Sequence, residues 1–210
     1  MPAADAGSPA EQGGVGSRLV LVGHPMCPFA QRAWFGIEEA GLEYELRECE
    51  LYPKPKWLWK INPNGKVPVL LDEAGRPIVE SEVIVDAIAE RASPALGVGS
   101  DADAEVISSW RRLVNEELLP AGRAAKCGGS RAAGLGAVLR QMDSLVAGPF
   151  VAGEEISVAD VSAAPMMQRL FEDGMVPAEL AKLHAWWAEV SQRPAFRKTA
   201  LPAGQYWWWW

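Results

Sequence analysis

At 210 residues the chain is long enough for one large domain or two small ones, each with a core of its own. Its 49% apolar and 22% charged residues are an ordinary globular composition. No apolar run approaches the roughly 18–20 residues that span a bilayer, and a net charge of −7 disfavours a nucleic-acid partner because phosphate is repelled on average. Cys27, Cys49 and Cys127 have no framework spacing, which fits a reducing compartment better than a disulfide scaffold. His24 and His184 join no metal-ligand motif, so no metal site is expected.

Residues 1–17 are rich in Ala, Gly, Pro and Ser, lack periodicity and read as a flexible tail. They carry no apolar signal region. Asp5, Glu11 and the lack of arginine before Arg18 argue against a transit peptide, so a cytoplasmic location is expected, with organelle import the minority alternative.

From Arg18 to Val22 an apolar strand is followed by a turn through Gly23 and Pro25 and a helix that opens at Pro28. Cys27 then stands at the helix N-terminus, where free N–H groups and the helix dipole favour a thiolate, so a lowered thiol pKa is expected. The competing reading is a buried cysteine that only packs. Position 30 is Ala, not the second cysteine of a dithiol site. A redox cycle through Cys27 therefore needs an external thiol, with glutathione the obvious soluble candidate.

Phe29, Ala33, Ile37 and Ala40 share one helical face, which Gly41 closes. Residues 43–51 read as a strand with Tyr44 and Leu46 inward and Cys49 packing on the other side. An irregular loop through Lys54 and Trp57 precedes Asn62-Pro63-Asn64-Gly65, and Pro68 begins the next strand. A cis Val67–Pro68 bond would leave the Val67 backbone free to pair with a bound peptide. Residues 72–76 form a hairpin turn into Pro77-Ile78-Val79. Ser81 then suits the N-cap of a helix over Val83–Ala92 that Pro94 ends, and equally a carboxylate site.

After a Pro/Gly/Ser linker at 93–100 only helices are expected. Val106, Trp110, Leu113 and Val114 mark one that Pro120 stops; Leu135, Val138, Leu139 and Met142 mark another, capped by Ser130. Ser157 and Asp160 form a capping-box start to a helix that Pro165 should kink. A last helix over about Ala178–Ser191 carries Leu180, Leu183, Trp187 and Val190 inward. The loop from Arg123 to Arg131 is short and glycine-rich, and the chain ends on Trp207–Trp210.

The stretches Cys27-Pro28-Phe29-Ala30-Gln31-Arg32, Lys54-Pro55-Lys56-Trp57, Asn62-Pro63-x-Gly65-x-Val67-Pro68-Val69 and Glu80-Ser81 together resemble the cysteine-type glutathione transferases. That group comprises the omega class, the plant lambda class and the dehydroascorbate reductases. Ile156–Asp160 and Gln192–Phe196 resemble motifs of the same family's helical domain. The resemblance implies an α/β thioredoxin-like glutathione-binding domain over 18–93 and an all-helical domain over 101–198; the Trp-rich tail over 199–210 is a departure from the family pattern. It implies Cys27 as nucleophile, a cis Val67–Pro68 bond, and glutathione held as co-substrate by Phe29, Lys54, Val67, Glu80 and Ser81. In that scheme Glu80 pairs with the γ-glutamyl ammonium, Ser81 with its carboxylate, the Val67 backbone with the cysteinyl unit and Lys54 with the glycyl carboxylate.

The implied activity is thiol transfer or dehydroascorbate reduction with a small oxidised or disulfide acceptor, either as a monomer or as a homodimer. A non-catalytic ligand carrier or an ion-channel-like relative on the same fold is the rival. The tryptophan tail is read as a lid on the acceptor site, with a partner or membrane contact, or no role, as alternatives.

Overall fold

A computed structural model describes residues 18–92, 96–97, 101–128, 133–202 and 204–205. The proposed N-terminal tail, most of the 93–100 linker, the Ser130 cap and the Trp207–Trp210 lid fall outside them.

Strand β1 (Leu19–Gly23) is the spine of a four-stranded sheet. It pairs in parallel with β2 (Tyr44–Glu48), Leu21 opposite Leu46. On its other side it pairs antiparallel with β3 (Val69–Leu71), which continues through the hairpin into β4 (Pro77–Val79), giving the order β2-β1-β3-β4. The alternation of β1 divides the core. Leu19 and Leu21 face helices α1 (Pro28–Glu39) and α3 (Ser81–Ala89), while Val20 and Val22 pack with Cys49, Trp57 and the short α2 (Leu58–Ile61). Cys49 is buried there, as expected. Leu46 departs from expectation: it is 40% exposed, because β2 is the sheet's edge and its outer side has no neighbouring strand to cover it.

The remaining elements are helical. They are α4 (Asp101–Leu113), a π-helical turn (Val114–Leu118), α5 (Leu119–Cys127), α6 (Leu135–Leu145), α7 (Val158–Glu172), α8 (Ala181–Gln192) and α9 (Pro194–Thr199). This is a thioredoxin-like domain followed by a helical domain. Pro120 does not stop the chain's helical course. The wide π turn before it absorbs both the missing N–H and the clash of the ring with the carbonyl one turn back, and α5 runs on to a left-handed Gly128. The expected glycine-rich loop from Arg123 is therefore helix as far as Cys127. Likewise α7 continues through Pro165 as one element of fifteen residues.

Helix α1 is buried on more than the one face its apolar periodicity marks. Gln31, Arg32, Phe35 and Gly36 are buried as well, because α7 packs against the side turned away from the sheet. Phe35 meets Phe196 of α9 edge-on at 5.2 Å between ring centres. In α8 the deepest indole is Trp186 rather than Trp187: Leu183, Trp186 and Val190 are fully buried, and Trp186 stands edge-on to Trp110 at 5.7 Å.

The capping box at α7 is present and does more than end a helix. Asp160, wholly buried, accepts from the Ser157 N–H and hydroxyl at 2.8 Å each, from the Val151 N–H at 2.9 Å and from the Trp186 indole at 2.7 Å. Burial pushes its carboxyl up and these four donors pull it back. Asp160→Ala would strand all four donors, so a loss on the order of 3 kcal/mol or more of unfolding free energy is expected, measured by denaturant titration. A loss within experimental error would mean that the Asp160 network is not a stabilising centre.

Candidate active site

Cys27 is the N-cap of α1, in extended conformation (φ −84°, ψ 116°), with Pro28 beginning the helix. Its N–H closes the preceding turn on the His24 carbonyl at 2.9 Å, and its own carbonyl accepts from the Gln31 N–H at 2.9 Å. The close stacking of strand end on helix start needs Gly23 and a small residue at 30: a Cβ on Gly23 would lie 2.9 Å from that of Ala30. The Cys27 sulfur lies 3.9 Å from the Val67 carbonyl oxygen, and the residue is 8% exposed.

That burial overturns one expectation. The Phe29 and Ala30 N–H groups and the charges of Arg169 and Lys54 all act to lower the thiol's pKa, as the helix start suggested. Desolvation is larger than their sum, however, and the thiol lies above its ordinary value. The helix dipole is visible in the sequence; the closure of the site over the thiol is not.

Beside Cys27 a cavity of about 100 Å³ is lined by Phe29, Asn62, Lys66, Val67, Pro68, Glu80 and Ser81. Five of the six residues proposed from sequence meet there or reach it: Phe29, Val67, Glu80 and Ser81 form its wall, and the Cys27 sulfur touches the Val67 carbonyl. The Val67–Pro68 bond is cis, and the ladder between β1 and β3 begins only at Val69, so Val67 stands outside it. Lys54 is elsewhere. Its ammonium donates to the Gly65 carbonyl at 2.8 Å, bracing the turn that leads to Val67.

Lys66 and Asn62 are the cavity residues that sequence reasoning missed. Asn62 shapes the turn, donating to the Lys66 carbonyl at 2.8 Å and accepting from the Asn64 N–H at 3.1 Å. Gly65, at φ +58°, lies under the Trp59 indole, 2.6 Å from where a Cβ would stand. The only signal for Lys66 was its place between Gly65 and Val67 in the quoted motif.

Ser81 is not the N-cap. It is the first residue of α3, and the cap is Glu80, held at φ 68°, ψ 120°, a conformation that costs a non-glycine residue on the order of 1–3 kcal/mol. Ser81 is buried, and its hydroxyl accepts from Arg32 at 3.0 Å, which leaves its own proton to donate.

Arg32 is the centre of the support behind this wall. It donates to the Ser162 carbonyl at 2.9 Å and to the Asn115 side chain at 3.2 Å, and pairs with Glu82 at 2.9 Å. Glu82 also receives Arg111 at 2.5 Å, the Asn115 amide at 2.8 Å and the Ser162 hydroxyl at 2.7 Å. Burial pushes the Glu82 carboxyl up, but the two guanidinium groups and the Asn115 and Ser162 hydrogen bonds together outweigh it, and its pKa lies below the usual carboxylate range.

A thiol thus stands at a helix start beside a polar cavity, on a thioredoxin-like sheet backed by a helical domain. Residues 21–96 match the glutathione S-transferase N-terminal domain, and residues 130–194 match the glutathione S-transferase C-terminal domain. The chain is similar to "Probable glutathione S-transferase DHAR1, cytosolic" of Oryza sativa subsp. japonica, 32% identical over 197 residues that cover 85% of this chain and 87% of that protein. It is 30% identical to "Glutathione S-transferase DHAR2" of Arabidopsis thaliana, covering 82% and 83% of the two chains. Among solved structures, glutathione transferase Omega 1C from Trametes versicolor superposes with a TM-score of 0.77 at 23% identity, covering 87% of this chain and 90% of that one. The Tau class enzyme from mango, Mangifera indica, gives 0.80 at 22% identity, with coverage of 89% and 94%. The chain belongs to the glutathione S-transferase family, and its co-substrate is glutathione. No helix among the described residues is long and apolar enough to cross a membrane.

Because desolvation holds the Cys27 thiol above its ordinary value of 9.0, its alkylation by iodoacetamide in the free protein should still be accelerating at pH 9.0. Peptide-level mass spectrometry across a pH series checks this. A rate that has levelled off near neutral pH would show that the helix dipole and cations win over burial.

Proposed function

We propose that this chain is a cysteine-type glutathione transferase acting as a glutathione-dependent thioltransferase or dehydroascorbate reductase, with Cys27 as its nucleophile. The observation that carries the reading is the contact of the Cys27 sulfur with the Val67 carbonyl at 3.9 Å, beside a cavity walled by Phe29, Val67, Glu80 and Ser81. The DHAR designation of the plant relatives agrees with it. Glu80 offers a carboxylate to the γ-glutamyl ammonium, and Ser81 a hydroxyl proton to the γ-glutamyl carboxylate. The Val67 backbone pairs with the cysteinyl unit, and Lys66 rather than Lys54 is the cation in the cavity wall for the glycyl carboxylate. In this reading residues 18–93 form the glutathione-binding domain, residues 101–198 the helical domain, and the protein works in the cytoplasm.

With a glutathionyl mixed disulfide, the Cys27 thiolate attacks the glutathionyl sulfur. A Cys27–glutathione disulfide forms, the substrate S–S bond breaks, and the substrate thiolate leaves and takes a proton. A second glutathione thiolate then attacks the glutathionyl sulfur, forming glutathione disulfide and returning the Cys27 thiolate. With dehydroascorbate the acceptor takes two electrons and two protons, and two glutathione thiols supply them.

The burial of Cys27 favours a second reading, a non-catalytic glutathione-binding carrier. Coupled assays with dehydroascorbate, a small mixed disulfide and an aryl halide separate the two. Cys27→Ala should remove reductase turnover with the first two acceptors, while Cys49→Ala and Cys127→Ala keep most of it. Turnover that survives Cys27→Ala would end the nucleophile reading, and a wild-type protein inactive with every acceptor would favour the carrier.

Binding assignments are checked separately. Lys66→Met should raise the KM for glutathione by roughly threefold to tenfold, the loss of one exposed charge-assisted contact, with kcat little changed. An unchanged KM would return the glycyl carboxylate to Lys54.

A further inference from the structure

Arg169 lies on α7 in the helical domain, fully buried, and none of the sequence motifs pointed to it. Its guanidinium reaches across to the turn that carries Cys27. Nη2 donates to the Met26 carbonyl at 3.4 Å, and Nη1 donates to the Gln31 side-chain oxygen at 3.1 Å and to the Pro165 carbonyl of its own helix. Met26 immediately precedes Cys27. Gln31 is one helical turn beyond it and donates its N–H to the Cys27 carbonyl. The Gln31 amide group is itself fixed, donating to Gln168 at 3.0 Å, and Gln168 donates in turn to the Leu201 carbonyl at 3.0 Å and to Glu172 at 2.8 Å. One side chain of the helical domain thus holds the backbone carbonyl before the thiol and the side chain one turn after it.

We propose that Arg169 is a positioning residue for Cys27, its fork gripping the Met26 carbonyl and the Gln31 side chain so that the sulfur is fixed toward Val67 with a guanidinium charge beside the turn. Three cations face the thiol: Arg169 from α7, Lys54 from the loop before α2, and Arg32 on α1 itself. They are not equivalent. The charge of Arg32 is matched by Glu82 at 2.9 Å, and Lys54 is exposed, where solvent weakens its field. Arg169 acts from the dry side, through low-dielectric surroundings, and it is the largest charged influence drawing the thiol toward ionisation. Planarity matters for the same reason: a fork meets two acceptors at fixed angles, whereas an ammonium is a point charge.

The functional weight of this assignment rests on Cys27 being the nucleophile, but the test needs no glutathione. The rate of iodoacetamide alkylation at Cys27 is followed by peptide mass spectrometry on the full chain from about pH 6 to about pH 11, for the wild type, Arg169→Met and Arg169→Lys. In Arg169→Met the profile should move to higher pH, and alkylation at neutral pH should fall roughly threefold to tenfold. In Arg169→Lys the midpoint should stay, because the charge stays. Its plateau rate at high pH should rise by about twofold or more, because the turn is no longer gripped and the buried thiol opens to reagent. A folded Arg169→Met with the wild-type profile overturns the charge, and an Arg169→Lys identical to wild type in both midpoint and plateau overturns the grip. Should Arg169→Met fail to fold, the Lys variant decides alone. A wild type without glutathione turnover removes the functional reading of Cys27 and leaves these profiles just as decisive.

Discussion

The constraint on which the rest of the structure depends is the burial of the Arg32 guanidinium. Taking a charge out of water costs several kcal/mol, recovered only where partners meet it in good geometry. Arg32 is 1% exposed, and its partners come from three elements outside its own helix. Ser81 and Glu82 lie on α3, Ser162 on α7, and Asn115 in the π turn. If any of these elements shifts, a buried charge loses a partner. The remaining nitrogen, Nη2, has no hydrogen-bond partner among the described residues, and the Arg32 guanidinium carbon stands 5.6 Å from the centre of the Phe29 ring, an attraction that joins the hub to the cavity wall. Because Glu82 titrates below the usual carboxylate range, this arrangement contributes stability that is fully present at neutral pH and is lost as pH falls through the depressed value.

The π turn is part of the same solution. Asn115 has to reach both Arg32 and Glu82 while its amide also donates to the Arg111 carbonyl at 2.8 Å. A regular helix presents residues at fixed angles, and the wider turn over Val114–Leu118 alters that phase just where Asn115 meets the hub. It also admits Pro120. One local irregularity thereby serves a polar network and lets a helix continue where its sequence suggests a stop.

What was legible in the sequence is what local chemistry decides. Pro28 after Cys27 announces a helix start, Ser157 and Asp160 announce a capping box, and the residues around Gly75 announce a hairpin whose glycine has φ +76°. The cavity wall was legible through Phe29, Val67, Glu80 and Ser81 because a short motif keeps its spacing wherever it folds. The rest depended on distant partners. Leu46 alternates like a core residue, but strand order leaves it at an edge. Trp186 and Trp187 are adjacent in sequence, and only the approach of Trp110 decides which is buried. Lys54 and Lys66 flank the same turn, and only its path, braced by Lys54 on Gly65, decides which one faces the cavity. Gln31 stood in the cysteine motif with no role assigned and Arg169 gave no signal, because their meeting needs two domains packed together.

That dependence bears on the thiol. A cysteine at the mouth of an exposed helix would be ionised mainly by local amides and would be read correctly from sequence. Here the site is closed over it, and closure has two opposite effects: it penalises the thiolate, and it strengthens every dipole and charge that still faces it. With burial the larger effect, the thiolate fraction is set by a few residues rather than by the fold as a whole. The Phe29 and Ala30 amides come with any helix start, whereas Arg169 is supplied by the second domain. Packing of the helical domain on α1 is therefore a chemical requirement of the site as well as a mechanical one, and loosening that interface should alter Cys27 before it alters the sheet.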